Sequence, residues 1–313
     1  MTDLYGRTFK TLRVSLTNTC NFGCSYCVDG DAVQQKFSHQ LSPVQLAKII
    51  FNLHEKLDFD TIRLTGGEPT LYKKLVELIR NLSELNVPLK MTSNGYLLSK
   101  IAKDLGDAGL KSINISLDAI DEMVFEKMAN RKGLVQVLDG IESCFENGIQ
   151  VKLNSVIMNG LNDSQVLPLF DYAKAKGISI RYLELMRMGH LYSRQFDHYF
   201  YSQNQILEAI SQKYDFVEME RKTSATANLW QTSDGFTFGI IANESEPFCK
   251  DCDRLRLDIK GNLYGCLSEN KSVSISEHEI DESVLEQILR EALSHKQPVK
   301  FTGSSLTMIG IGG

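Results

Sequence analysis

Six β-branched runs alternate with helical patterns over the first two thirds of the chain, and this alternation limits the fold more than any other feature. RVSLT (13–17), TIRLTGG (61–67), LKMTSNG (89–95), SINISLDA (112–119), QVKLNSVIM (150–158) and SIRYLELM (179–186) read as strands. Most are too continuously apolar for burial on one face alone, which suits a parallel sheet covered by helices. Between them, SPVQLAKIIFNLHEKL (42–57), LYKKLVELIRNLSEL (71–85) and SKIAKDLGDAG (99–109) repeat apolar residues at helical spacing. The pattern predicts an α/β fold of successive right-handed βα units, as in TIM-type barrels, with chemistry at the C-terminal ends of the strands.

After about residue 215 the alternation breaks down. FVEMERKTSATANLWQ and GFTFGIIANE read as short extended pieces, and DRLRLDIKGNLYGCL as a hairpin turning at Lys260-Gly261-Asn262. A last helix over 281–296 precedes SSLTMIGIGG, a glycine tail. We therefore expect one part over 1–215 and a smaller α+β part over 216–313, with no proline-rich linker between them.

The chain has 313 residues and seven cysteines. Cys20, Cys24 and Cys27 form C-x3-C-x2-C; Cys249, Cys252 and Cys266 form C-x2-C-x13-C. Cys144 stands apart in LVQVLDGIESCFENG, at helical spacing with Leu134, Leu138, Ile141 and Phe145, and reads as core. An odd number of cysteines in a chain that reads as cytoplasmic disfavours a disulfide framework and favours metal or thiol chemistry. Soft thiolates suit zinc and iron–sulfur clusters. A structural zinc wants four ligands, each triad offers three, and neither has a histidine at ligand spacing, although a distant residue could complete the second. An iron–sulfur cluster held by three cysteines leaves one iron open.

Other classes are excluded by composition. With 34 Lys+Arg against 39 Asp+Glu the net charge is −5, so no global basic field draws the chain to nucleic acid or acidic lipid. No apolar stretch approaches the roughly 20 residues of a membrane helix, and MTDLYGRTFK lacks a signal-peptide core.

The first triad, together with Thr65-Gly66-Gly67-Glu68-Pro69, resembles the radical S-adenosylmethionine (SAM) superfamily. The glycines would let backbone groups approach the SAM amino group. The remaining motifs are similar to those of the GTP 3′,8-cyclase family, which begins molybdenum cofactor biosynthesis. They are LRVSLTNTCNFGCSYC, IRLTGGEP, TSNGYLL, NISLDAID, VKLNSVIMNGLND, IRYLELMRMG, EPFCKDCDRLRLDIKGNLYGCL and a final Gly-Gly. The likeness runs from about Gly6 to Gly313.

This resemblance implies a partial (β/α)6 barrel whose open side is closed by a C-terminal domain, with two [4Fe–4S] clusters and SAM as cofactors. Cys20, Cys24 and Cys27 would hold the SAM cluster; Cys249, Cys252 and Cys266 would hold a second cluster that binds the guanine of GTP. A 5′-deoxyadenosyl radical would take hydrogen from ribose C3′, and the carbon radical would attack guanine C8. SAM-pocket positions map to Tyr26, Thr65, Gly67, Glu68, Thr92, Ser116 and Met186. Substrate cations map to Arg13, Arg63, Lys152, Arg181, Arg254 and Arg256; Arg13, Arg254, Arg256, Gly312 and Gly313 would be needed for turnover. Independently, Arg13, Arg63, Lys152 and Arg181 lie inside apolar strand-like runs, where unpaired charge is costly, and Arg254 and Arg256 alternate with Leu255 and Leu257. Asn94 and Asp118, at strand ends, read as pocket residues without an assigned role. The resemblance also implies a flavodoxin- or ferredoxin-type reductant and a following pathway enzyme that receives the product, and it is compatible with a homodimer.

Four places depart from the family. Thr61 stands where many members carry a basic residue, Thr19 and Gly23 where arginines are usual, and Val28-Asp29 where Met-Pro is usual. Two alternatives stay open: a radical SAM paralogue that modifies a peptide or another small molecule, and a non-catalytic cluster- or zinc-binding protein.

Overall fold

The computed structural model describes residues 1–28, 40–192, 195–268, 271–275 and 281–304. Strands β1 (Thr11–Ser15), β2 (Thr61–Thr65), β3 (Leu89–Ser93), β4 (Leu110–Ser116), β5 (Gln150–Val156) and β6 (Ser179–Leu183) lie in sequence order, each parallel to the next. All six expected runs are strands. Their character differs from expectation, however. Leu12, Val14, Ile62, Leu64, Met91, Ile113, Leu153, Ile180 and Tyr182 are buried on one face. The alternate positions are largely polar and include Arg13, Arg63, Lys90, Thr92, Asn114, Lys152 and Arg181. The sheet therefore has an apolar face against the helices and a polar inner face.

Helices α1 (Pro43–Leu57), α2 (Leu75–Ser83), α3 (Leu98–Asp107), α4 (Glu122–Ala129), α5 (Leu134–Glu146) and α6 (Val166–Ala175) connect these strands. Helix α1 starts where Ser42 and Gln45 cap each other reciprocally and Pro43 supplies a preset φ; it buries Leu46, Ile49, Ile50, Leu53 and Leu57 on one stripe. Asp121 caps α4 by accepting from the Met123 and Val124 N–H groups. Cys144 lies on α5 and is 0% exposed, as expected of a core residue. Helices α7 (Gln195–Tyr199) and α8 (Gln203–Ser211) follow β6.

The remaining strands are β7 (Phe216–Met219), β8 (Asn228–Thr232), β9 (Thr237–Ile241), β10 (Arg254–Asp258), β11 (Asn262–Tyr264) and β12 (Val273–Ser274), before helix α9 (Glu282–Ser294). They join the same sheet. Among the described residues its order is β12-β11-β10-β1-β2-β3-β4-β5-β6-β9-β8-β7. Strand β10 runs parallel to β1, and β9 runs parallel to β6. Eight neighbouring parallel strands result, flanked by antiparallel strands at both edges. The expected hairpin is β10–β11: Gly261 takes φ +85°, and the Asp258 carboxylate accepts from the N–H groups of Lys260 and Asn262. Among the described residues, no helix is long and apolar enough to cross a membrane.

Candidate active site

The first cysteine triad occupies the loop after β1. The Cys27 N–H donates to the Cys24 carbonyl at 2.8 Å, which curls the loop. Phe22 pins it from beneath, edge-on to Tyr96 and Phe125 at 5.7 and 5.9 Å. Gly23 and Ser25 N–H groups donate to the Ala129 and Met128 carbonyls at the end of α4. Asn94, just past β3, donates to Asn21 Oδ1 at 2.8 Å and lies 3.8 Å from Cys20 Sγ. Asn94 thus positions the cysteine loop, a role the sequence left unassigned.

The Gly66-Gly67-Glu68 turn after β2 presses on this loop. Gly67 N–H donates to the Thr17 carbonyl at 2.6 Å and Glu68 N–H to the Thr19 carbonyl at 2.8 Å. A side chain on either glycine would collide with the backbone of Thr17 or Thr19. The Glu68 carboxylate, 0% exposed, accepts from Thr70 N–H, Thr70 Oγ1, Ser93 Oγ and Asn94 N–H at 2.7–3.0 Å. Burial raises its pKa, and these donors oppose that rise. Glu68 therefore fastens the ends of β2 and β3 together beside the triad.

Asp118, past β4, accepts from Val156 N–H at 2.8 Å and from the Tyr26 hydroxyl at 3.0 Å. Burial pushes its carboxyl up to about 6, against both hydrogen bonds. Cys24, Tyr26, Asn94, Ser116 and Asp118 line one narrow cavity. Thr65 and Thr92 lie on the inner face nearby, and Thr92 Oγ1 is buried without a hydrogen-bond partner. Met186 is half-buried in the segment after β6. A second cavity of about 310 Å³, lined by Gly23, Ser25, Lys127, His190 and Tyr199 among others, contains none of the expected SAM or nucleotide residues.

The second triad lies at the other end of the sheet. Cys252 precedes β10, and β10 pairs in parallel with β1 from Thr11↔Arg254 to Ser15↔Asp258. Cys20 follows the far end of β1. The two triads are therefore separated by at least the length of a five-residue strand, roughly 13 Å. Lys296, just past α9 and 5% exposed, donates to the Arg254 and Gly265 carbonyls at 2.8 and 2.9 Å and lies 3.7 Å from Cys252 Sγ. Arg7 ties the Cys249 carbonyl to that of Gln297 and pairs with Asp3 at 2.7 Å. Arg254 lies 3.7 Å from Cys252 Sγ and donates to the Ser224 carbonyl.

The electrostatics of the triads differ at Cys252. Burial pushes Cys20 to about 11, Cys27 to about 12 and Cys24 well above its ordinary value; Glu68, Asp118 and the neighbouring thiols add to this. Burial likewise pushes Cys249 to about 11. At Cys252 burial is outweighed by the charges of Lys296 and Arg254, and the thiol is held below its ordinary value. The thiols of each triad interact without converging on one point: among the described residues, no three His, Cys, Asp or Glu side chains are placed to hold a single metal ion. Three soft thiol donors without a histidine are a donor set that suits an iron–sulfur cluster.

Between the triads lies the basic set. Arg256 pairs in register with Arg13, and Arg13 with Arg63. Lys152 and Arg181 stand on the same face of β5 and β6. Burial, then mutual repulsion, lowers Arg63 and Arg181 to about 10 and drives Arg13 well below its ordinary value. Arg256 also falls to about 10, burial outweighing the pull of Cys266 and Cys252. Arg63 Nη1 and Arg181 Nε and Nη2 are buried with no hydrogen-bond partner. Buried, unpaired guanidinium groups are costly and mark an anion site. These cations lie within the strands, whereas the first triad, Gly67, Glu68 and Asn94 lie at their C-terminal ends. Gly312 and Gly313 lie outside the described residues. Lys90, Lys296 and Arg7 were missed; Lys90 shared the signal that singled out Arg63 and Lys152, a cation inside an apolar run.

A family model described as the Radical SAM superfamily matches residues 14–173, and one described as Molybdenum Cofactor Synthesis C matches residues 178–302. Curated relatives named GTP 3′,8-cyclase include that of Synechocystis sp., 37% identical over 88% of this chain and 84% of the relative. The one from Nautilia profundicola is 36% identical over 94% and 92%. That of Helicobacter pylori strain J99 is 34% identical over 95% and 92%. Among solved structures, Streptococcus suis SuiB bound to S-adenosylmethionine superposes with a TM-score of 0.63 at 14% identity, covering 90% of this chain and 68% of that one. Native anSMEcpe with bound AdoMet gives a TM-score of 0.65 at 13% identity, covering 91% and 81%. These structures share the fold.

Proposed function

Because the chain belongs to the GTP 3′,8-cyclase family of radical SAM enzymes, we propose that it cyclises GTP to (8S)-3′,8-cyclo-7,8-dihydroguanosine 5′-triphosphate, the first step of molybdenum cofactor biosynthesis. The observation that carries this reading is the row of cations on the inner face between two thiol triads, where Arg256 is buried and Arg63 and Arg181 keep buried guanidinium nitrogens without partners. An acidic peptide would not need so compact a cluster, whereas a triphosphate does.

In this reading residues 1–215 serve SAM and residues 216–313 serve the substrate. Cys20, Cys24 and Cys27 would hold a [4Fe–4S] cluster, and Cys249, Cys252 and Cys266 a second one. When bound, the first cluster and SAM supply a 5′-deoxyadenosyl radical, with electrons from a flavodoxin- or ferredoxin-type reductant. Tyr26, Thr65, Gly67, Thr92, Ser116 and Met186 form the SAM pocket, with Glu68 setting its shape through the ends of β2 and β3. Arg13, Arg63, Lys152, Arg181 and Arg256 hold the triphosphate and fix the ribose toward the first triad. Arg254 links this cradle to Cys252. Gly312 and Gly313 are assigned to turnover by family resemblance. The product passes to the next enzyme of the pathway.

Anaerobic incubation of reconstituted protein with SAM, dithionite and GTP should yield 5′-deoxyadenosine and a cyclised product identified by mass and NMR. Neither product from protein carrying about eight irons would overturn the assignment. About four irons, lost on changing Cys20, Cys24 and Cys27 together, would remove the second cluster from it.

A further inference from the structure

We propose that Lys90 is a further phosphate-binding residue of the cradle, a reading that rests on the GTP assignment above. Lys90 lies on β3 directly opposite Arg63 of β2. Its neighbours Leu89 and Met91 are buried on the helix side, so alternation turns Lys90 to the inner face with Arg63 and Thr92. The pairing of β3 with β4 slips by one residue between Leu89 and Lys90. Such irregularities re-aim a side chain beside a site.

The charge pattern makes the case. Among the described residues, no acid and no hydrogen-bond acceptor pairs with Lys90. Its surroundings are cationic: burial, then Arg63 and Arg181, lower its pKa, and Lys90 in turn lowers that of Lys152. A half-buried lysine placed only for the fold would gain by reaching an acid. Here it closes a gap. The opposite residue on β4 is Ser112, so without Lys90 the row would carry no charge between Arg63 and Lys152. Arg254 reaches toward the second triad, 3.7 Å from Cys252 Sγ. Arg13, Arg63, Lys90, Lys152, Arg181 and Arg256 remain for a polyanion. Thr61, two residues before Arg63 on the same face of β2, is uncharged and diagonal to Lys90.

The test uses the holoenzyme with its iron content verified, under anaerobic conditions. Binding of GTP, GDP, GMP, guanosine and SAM is measured for the wild type, Lys90→Met, Lys90→Arg and Lys90→Met/Thr61→Lys. Lys90→Met should weaken GTP by roughly 10- to 100-fold, the range for a hydrogen bond to a charged group. Guanosine and SAM should change less than about twofold, and the salt dependence of GTP binding should become shallower. Lys90→Arg or the added Thr61→Lys should recover GTP affinity. GTP binding within twofold of wild type in Lys90→Met overturns the proposal, as does an equal loss for guanosine or recovery by neither cation-restoring variant. Wild-type protein that binds GTP no better than unrelated nucleotides overturns the GTP assignment itself, and Lys90 falls with it.

Discussion

Gly67→Ala should damage the site without unfolding the protein, and the size of the effect follows from two distances. A Cβ at Gly67 would lie 2.4 Å from the Thr19 carbonyl oxygen and 2.7 Å from its carbon. Non-bonded heavy atoms prefer about 3.5 Å or more, so one of the two loops must move by about 1 Å. Both contacts are backbone atoms, so no flexible side chain can absorb the shift. Thr19 directly precedes Cys20. Cluster ligands tolerate only about 0.2 Å, and a misplacement of about 1 Å costs on the order of 100-fold in rate. Overpacking of this kind costs about 1–3 kcal/mol in stability. Gly148→Ala is the control: its φ is +69° with nothing within 4 Å of the new Cβ, so only backbone strain of about 1–2 kcal/mol applies. Urea unfolding of the apoproteins should show similar losses for both variants. Only Gly67→Ala should lose iron from the first triad and cleave SAM about 100-fold more slowly. Wild-type iron content with SAM cleavage within threefold in Gly67→Ala would refute the reasoning.

Other expectations follow from single contacts. The buried Glu184 carboxylate accepts from the N–H groups of Gln203, Glu244 and Ser245 and from the Ser245 hydroxyl. Glu184→Ala leaves three backbone donors unmet and should cost at least about 3 kcal/mol in urea unfolding. Arg256→Ala should weaken GTP use while iron content stays at the wild-type level. Arg254→Ala should also loosen the second triad, because its guanidinium lies 3.7 Å from Cys252 Sγ and holds the Ser224 carbonyl; spectra of a variant lacking the first triad would show this. Lys90 and Lys152 have pKa values lowered from 10.5, and a bound polyanion would raise them again. GTP binding should therefore take up protons as pH rises into that lowered range, with affinity falling above it. Calorimetry over a series of pH values below 10.5, in two buffers of different ionisation heat, measures the uptake.

The six N-terminal strands were legible because each is short, β-branched and bounded by glycine or helical signals. Their inner face was less so. Continuous apolar runs were expected, yet Arg63 and Lys90 interrupt theirs on alternate positions, and only the pleat shows that they share a side. The hairpin at Gly261 was legible from its turn residues. The pairing of β10 with β1 was not, because nothing in either five-residue segment specifies a partner some 240 residues away. That pairing sets the position of the second triad, and with it the axis of the site. Asn94, Asp118 and Glu68 were visible as residues at strand ends. Their tasks were not, since each acts through a hydrogen bond to a distant loop.

One consequence of the topology is that identical ligands sit in different fields. The first triad lies at the C-terminal end of the strands, near Glu68 and Asp118, and its thiols are all held in the protonated form. The second lies at the N-terminal end, where Arg254 enters from β10 and Lys296 from the end of α9, and their charges hold the Cys252 thiol below its ordinary value while burial raises Cys249. Metal ligation requires deprotonated thiols, and Lys296 and Arg254 favour that form at Cys252. One of the cations that ease the second site, Arg254, adjoins the row that would receive a triphosphate. Substrate charge and thiolate charge therefore meet at Arg254, and a change there should be felt at both.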